Sequence, residues 1–266
     1  MKDPRTTAFY NFKNSIGGAS FLLNTIVVGL DAVEKGHQKP ASVKVKWEPK
    51  DPATAARQAR KFAIESFIIR AAESLKAYQA AISKLPQFSE AKSTWNGGTS
   101  AVEKLRDIAR SVLGKDSFLV ASGMLLIAWR NQIVHDDIVK LSSVERNLLR
   151  DNNAIIASRY ADLDIDRLLV HVIESRPTLK DASSLIAMSI NLVNALDEDI
   201  YDNIDAEGAR SLAEHYGVTA KIKKVRRETS PSANLEKSIM RIFTTDAPGL
   251  YEKFIQFYLP DGSNFV

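Results

Sequence analysis

LLIAWRNQIVHDD, Leu125 to Asp137, decides how the rest of the chain is read. The twelve residues from Phe118 to Trp129 carry no charge, the mark of a helix driven into a core. That run breaks into Arg130, Asn131 and, four positions after the Asn, His135. Residues four apart on a helix share a face, so Asn131 and His135 lie one above the other. Arg130 sits ~100° round from Asn131, close enough for its long side chain to swing toward both. Leu126, Trp129 and Ile133 occupy another sector, and Val134 intrudes among the polar heads. His is the side chain whose unperturbed pKa suits proton transfer near neutrality. Arg carries a planar fork that matches phosphate oxygens. Asn131 moves no proton at neutral pH, which leaves it to orient His135 or to hydrogen-bond a phosphate or sugar. Asp136 and Asp137 follow at once, and a carboxylate beside an imidazole favours its protonated form. The competing reading of the same residues is a structural histidine beside a surface cation.

Composition narrows the chemistry. The chain has 266 residues and 45% hydrophobic content, enough for one large or two small domains. Cysteine is absent, which excludes disulfides, thiolate metal sites and a cysteine nucleophile. Its four histidines, His37, His135, His171 and His215, are widely scattered, so neither a zinc site nor any other cofactor is expected. His171 falls within an apolar stripe and reads as structural. The longest apolar run, Ile16 to Leu30, is interrupted by Asn24 and glycines and is shorter than a bilayer span. No membrane partner is expected, and the reading is a soluble, cytoplasmic protein. Net charge is +4, which permits a polyanionic partner without pointing to one.

Every long segment carries helical spacing. Leu22, Ile26, Gly29 and Val33 set the stripe of the first helix, which Gly36 closes. SVKVKW, Ser42 to Trp47, alternates as a short extended piece would. Asp51-Pro52 opens a helix whose stripe is Ile64, Phe67, Ala71, Leu75, Tyr78 and Ile82, and Pro86 ends it. Ser100 to Glu103, Ser142 to Glu145 and Thr178 to Asp181 read as capping boxes, and Asp116 as the cap of the motif helix. The helix from Ser142 is expected to reach about Tyr160. Leu185, Met188, Leu192 and Leu196 carry the stripe after the third box. The expected fold is all-α, an antiparallel helical bundle over residues 1–200 with 1–15 as a loose arm. Residues 201–266 are expected as a small basic and helical C-terminal extension. There SLAEHYGVTAK resembles the first half of a helix-turn-helix with no recognition helix evident behind it. Lys221, Lys223, Lys224, Arg226 and Arg227 form a cationic run, either solvated surface or a phosphate-tracking patch.

RNQIVH, Arg130 to His135, resembles the signature of the HEPN superfamily: Arg, a polar residue, three further residues and His at the end of a helix in an all-α domain. Arg130, Asn131 and His135 match it position by position, with helical context from about Ile16 to Tyr160. The resemblance implies a metal-independent RNA endonuclease that cuts by 2′-hydroxyl attack and leaves a 2′,3′-cyclic phosphate. It implies a toxin or phage-defence effector, restrained by an antitoxin or other regulatory protein. It also implies a homodimer in which two motif helices complete one composite site. Such domains often carry a polar or acidic residue near the motif on a neighbouring helix, making Glu65 or Glu73 supporting candidates. The alternative is a catalytically inactive HEPN-like module that binds RNA, a nucleotide or a partner protein. A DNA-binding regulator built on Ala206 to Arg227 is the third reading.

Overall fold

In a computed structural model, described at residues 5–114, 116–136, 141–202, 204–228, 233–246 and 250, the chain folds into helices alone. In order they are α1 (Thr7–Glu34), α2 (Pro52–Ile82), a 3-10 turn (Pro86–Phe88), α3 (Ser89–Ser93), α4 (Ala101–Leu113) and α5 (Phe118–His135). There follow α6 (Ser143–Asp151), α7 (Asn153–Arg159), α8 (Ile165–Ile173), α9 (Leu179–Asp202), α10 (Ala206–His215), α11 (Val218–Glu228) and α12 (Ala233–Asp246). No strand occurs among the described residues, and SVKVKW lies in an irregular connector. The fold class is all-α.

Helix starts fall where short polar side chains take up free amides. Asp51 accepts from the amides of Ala53 and Thr54 at 3.0 and 3.2 Å. Ser100 and Glu103 exchange hydrogen bonds reciprocally ahead of α4, and Gly114 closes that helix at φ 64°, a conformation glycine reaches without steric cost. Thr178 and Asp181 make the same exchange at 2.9 and 3.1 Å. Glu145 accepts from the Ser142 amide at 2.9 Å. Two expectations are corrected. Ser117, not Asp116, caps α5 by accepting from the Val120 amide, while Asp116 is held by Arg110 at 2.8 and 2.9 Å. The helix expected from Ser142 to Tyr160 breaks at Asn152, whose side-chain amide donates to the Leu148 carbonyl at 2.8 Å.

Two compact units share the chain. One gathers Met1–Phe12, Ala77–Asp116 and Leu192–Val266; the other gathers Lys13–Lys76 and Ser117–Asn191. The chain passes from one unit to the other within α1, α2 and α9 and in the connection between α4 and α5.

In the first unit, residues 5–12 are firmly held, which corrects the expectation of a loose arm. Phe9 and Phe12 are buried on α1, with the Phe12 ring 6.1 Å from that of Tyr78. Fully buried Asp197 on α9 accepts from the Thr6 amide at 2.8 Å, the Thr6 hydroxyl at 2.5 Å and the Tyr78 hydroxyl at 3.2 Å. Burial pushes the Asp197 carboxyl up, and the Thr6 and Tyr78 hydrogen bonds and the Arg5 charge only partly offset it. Arg5 donates to the Asn194 carbonyl at 2.9 Å and pairs with Glu198.

The α10–Tyr216–Gly217–α11 segment is helical on both sides of a tight turn. Helix α11 follows SLAEHYG, with Gly217 at φ 68° in the turn. Val218 and Ile222 are buried on α11, and Lys221, Lys223 and Lys224 are exposed. The side chains of Arg226 and Arg227 lie outside the described residues, as do the aromatic positions after Leu250. On α12, Ile239 and Phe243 are buried.

In the second unit α1 and α2 run antiparallel. Ser15 meets Ser74 at 2.8 Å at one end, and Arg60 pairs with Glu34 at 2.9 Å at the other. The α2 stripe is buried as its periodicity predicts. The α1 stripe is not: Leu22, Ile26 and Gly29 are exposed, while Ile16 and Leu23 are buried. This helix is apolar nearly all round, so spacing alone does not say which side the core takes. By length and composition α1 is long and apolar enough to cross a membrane, and little of its most apolar stretch is buried.

Candidate active site

Helix α5 delivers the motif. Val120 to Trp129 are buried without a break, and Ser122 answers its own polarity by donating to the Leu119 carbonyl at 2.7 Å. The helix then emerges: Arg130 to Ile133 are half-buried, and Val134 to Asp136 exposed. Asp136 ends it at φ 55°, its amide donating to the Gln132 carbonyl at 2.9 Å. Left-handed backbone is tolerated by Asp better than by most side chains. His135 therefore stands exposed at the last helical position, next to the turn that begins at Asp136. A cavity of about 370 Å³ exists elsewhere, lined by Phe88, Val112, Ile200 and Gly208 of the first unit.

Arg130 gathers the site. Its Nη1 lies 3.0 Å from Nε2 of His135 and donates to Oδ1 of Asn131 at 3.2 Å. A guanidinium has no lone pair to accept with, so Nε2 can make a hydrogen bond in this contact only as the acceptor. Arg130 covers that nitrogen. On the other side, Nε of Arg130 lies 2.7 Å from a Glu73 carboxylate oxygen, an ion pair rather than an aligned hydrogen bond. Lys76 reaches the same oxygen at 3.0 Å. Partial burial pushes the Glu73 carboxyl up, but Lys76 and Arg130 outweigh it and hold the group below the usual carboxylate range. Glu73 is accordingly ionised and braces the guanidinium from behind, and Nη2 of Arg130 donates no hydrogen bond among the described residues.

Not every expected residue is drawn in. Glu65 lies two turns away on α2 and pairs with Lys61 at 3.6 Å. Asp136 is exposed and bonds to neither ring nitrogen of His135; Asp137 lies outside the described residues. Asn131 braces Arg130 rather than His135. His171 is structural, its Nδ1 2.7 Å from the buried Asp181. Two residues escaped the sequence reading. Lys76, at helical spacing from Glu73, was legible as a pair but not as part of a site. Gln132 has a buried side-chain oxygen without a partner beside the motif, and nothing in the sequence singles it out. Among the described residues no group of three or more acidic, His or Cys side chains is arranged to hold a metal ion. Comparison with protein-family models, with characterised proteins and with solved structures found no match for this chain.

Proposed function

We propose that the chain is an endoribonuclease working by proton transfer at His135, without a metal step. The observation that carries this reading is the 3.0 Å contact between Nη1 of Arg130 and Nε2 of His135, with Glu73 behind the guanidinium. A phosphodiester entering the site competes for Arg130, since phosphate is a far better acceptor than imidazole. As the guanidinium turns to the phosphate, Nε2 is uncovered. It takes the proton of the adjacent 2′-hydroxyl, the 2′-oxygen attacks phosphorus, and the bond to the 5′-oxygen breaks. Arg130 meets the charge growing on the non-bridging oxygens. The leaving 5′-oxygen needs a proton, which His135 of a second copy would supply in a composite homodimeric site. The products are a 2′,3′-cyclic phosphate and a 5′-hydroxyl. An exposed site at a helix end suits a polymer better than a small molecule. The HEPN resemblance extends the proposal to a toxin or antiviral effector restrained by an antitoxin or other regulatory protein.

The test is end-labelled single-stranded RNA and matching DNA incubated with the purified protein in EDTA, beside His135→Ala. The expected result is cutting of RNA alone, with cyclic phosphate ends, reduced about 10²- to 10⁴-fold in the variant. RNA bound but uncut on several substrates, tRNA included, would replace this reading with the silent binding module. The exposed Lys221, Lys223 and Lys224 of α11 are the feature that favours that second reading.

A further inference from the structure

The apolar surface of α1 is independent of the site above. At ~100° per residue, Ile16, Leu23, Val27 and Leu30 cluster about one line of this helix, and Gly18, Phe21, Leu22, Thr25, Val28 and Gly29 about the opposite line. The first line carries the residues turned to the second unit's interior, and Ile16 and Leu23 are buried. The second is open: Phe21 is 72% exposed, Val28 71% and Leu22 60%. No charged residue occurs from Ser15 to Leu30. Thr25, the hydroxyl on the open face, donates to the Phe21 carbonyl at 3.0 Å, so its polar group is answered within the helix. A Cβ placed on Gly17, Gly18 or Gly29 would meet nothing within 4 Å.

At the end of α1 the connector extends this surface and changes its edge. Val45 and Trp47 join Gly29, Ala32 and Val33 in lining one apolar cavity of about 350 Å³. Alternating with them are Lys44 and Lys46, followed by Lys50; all three are exposed and without an ion-pair partner among the described residues. Asp31 and Glu34, the nearby acids on α1, are already paired with Lys35, Arg57 and Arg60.

The geometry points to docking of this face, α1 with its lysine-edged connector, on the surface of an anionic lipid bilayer. Phe21, Leu22 and Val28 enter the acyl boundary, Trp47 sits at headgroup depth, and Lys44, Lys46 and Lys50 meet the phosphates. The helix lies on the bilayer and does not cross it, because its other face is bound to α2 through Ser15–Ser74 and Arg60–Glu34. Charge complementarity selects the occupant. The same connector carries one exposed acid, Glu48, against Lys44, Lys46 and Lys50, so a second copy would bring the same net-positive edge and self-association would set like charge against like. An anionic surface answers both features at once.

Co-sedimentation of the nuclease-treated full chain tests this, with vesicles of phosphatidylcholine alone and of phosphatidylcholine with phosphatidylglycerol. The expected result is binding to the anionic vesicles only, weakened by salt. Phe21→Asp should lower it at least ~10-fold, and Lys44→Gln or Lys46→Gln ~5-fold each. Val28→Asp is a second, separate variant should Phe21→Asp fail to fold, and circular dichroism checks both. Binding that survives these changes, or that is lost instead with Lys223→Gln and Lys224→Gln, overturns the proposal. So does the absence of vesicle binding, with the chain monomeric or with a dimer that Phe21→Asp dissociates. RNA cleavage is read separately on the same variants, and its presence or absence does not bear on this test.

Discussion

Two charged clusters join residues distant in sequence, and they differ in what they leave open. Around Asp197 every feature is closed: the carboxylate is fully buried and takes three hydrogen bonds from Thr6 and Tyr78. Around Arg130 the cluster is half-finished. Glu73 is part-exposed, His135 is exposed, and one guanidinium nitrogen, Nη2, donates no hydrogen bond among the described residues. A closed network holds chain segments together, because each donor left unanswered in a buried place costs about 1–3 kcal/mol. An open one costs little to leave incomplete, since water or a ligand can finish it. The first cluster ties chain segments together; the second is the one for which we propose chemistry.

Substitution should separate them. His135→Ala carries the largest expected effect, the loss of cleavage described above, while the unfolding midpoint in urea stays within error because the side chain is exposed. A clear fall in that midpoint would make His135 structural. Asp197→Ala should do the reverse, lowering unfolding free energy by about 3 kcal/mol, because it strands the Thr6 and Tyr78 donors in a buried place. Urea denaturation followed by circular dichroism reads this directly. If Asp197→Ala unfolds like wild type, the closed cluster does not anchor the N-terminus.

Glu73→Gln sharpens the contrast at a smaller scale. As a positioning residue acting through Arg130, it should lower kcat roughly tenfold and leave KM for RNA nearly unchanged, since misplacing a catalytic group costs rate more than binding. Its effect on stability should be slight, because the pair is solvent-accessible. A rise in KM with kcat intact would assign Glu73 to binding instead.

The two carboxyls also carry opposite pH signatures. Glu73 is held below its ordinary value of 4.5 in the folded chain, so its contribution is present above that value and is lost as pH falls through the folded pKa. Asp197 is pushed above its ordinary 3.8, so its contribution falls as pH rises from 3.8 through the folded pKa. In acid titrations followed by urea unfolding, Glu73→Gln should remove a rising leg of stability and Asp197→Asn a falling one. Matching slopes in both variants would break the distinction. The smallest effect is expected on α11. Lys223→Gln and Lys224→Gln should each reduce the salt dependence of RNA binding by about one unit of slope, with cleavage chemistry unchanged.

The legible part of this protein was local. Caps at Asp51, Ser100 and Thr178 announced helix starts, because capping depends on residues within one turn of each other. Arg130, Asn131 and His135 were legible as a set for the same reason: one helix places them together. Glu73 was visible only as one of two acids on a neighbouring helix. Choosing it over Glu65 required the packing of α2 against the end of α5, where Glu73 meets Arg130 and Glu65 lies two turns away beside Lys61.

By itself, the sequence determined an all-α chain and the facing of the motif, through backbone periodicity and short-range hydrogen bonding. Tertiary structure alone decided which apolar side of α1 is buried, because a helix apolar all round satisfies either choice until a neighbour fixes it. It also decided that residues 5–12 are held rather than loose. The acceptor for Thr6 stands 191 residues away at Asp197, and no local pattern encodes that distance. The pairing of Arg130 with Glu73 was decided in the same way, since it joins two helices through residues 57 apart in sequence.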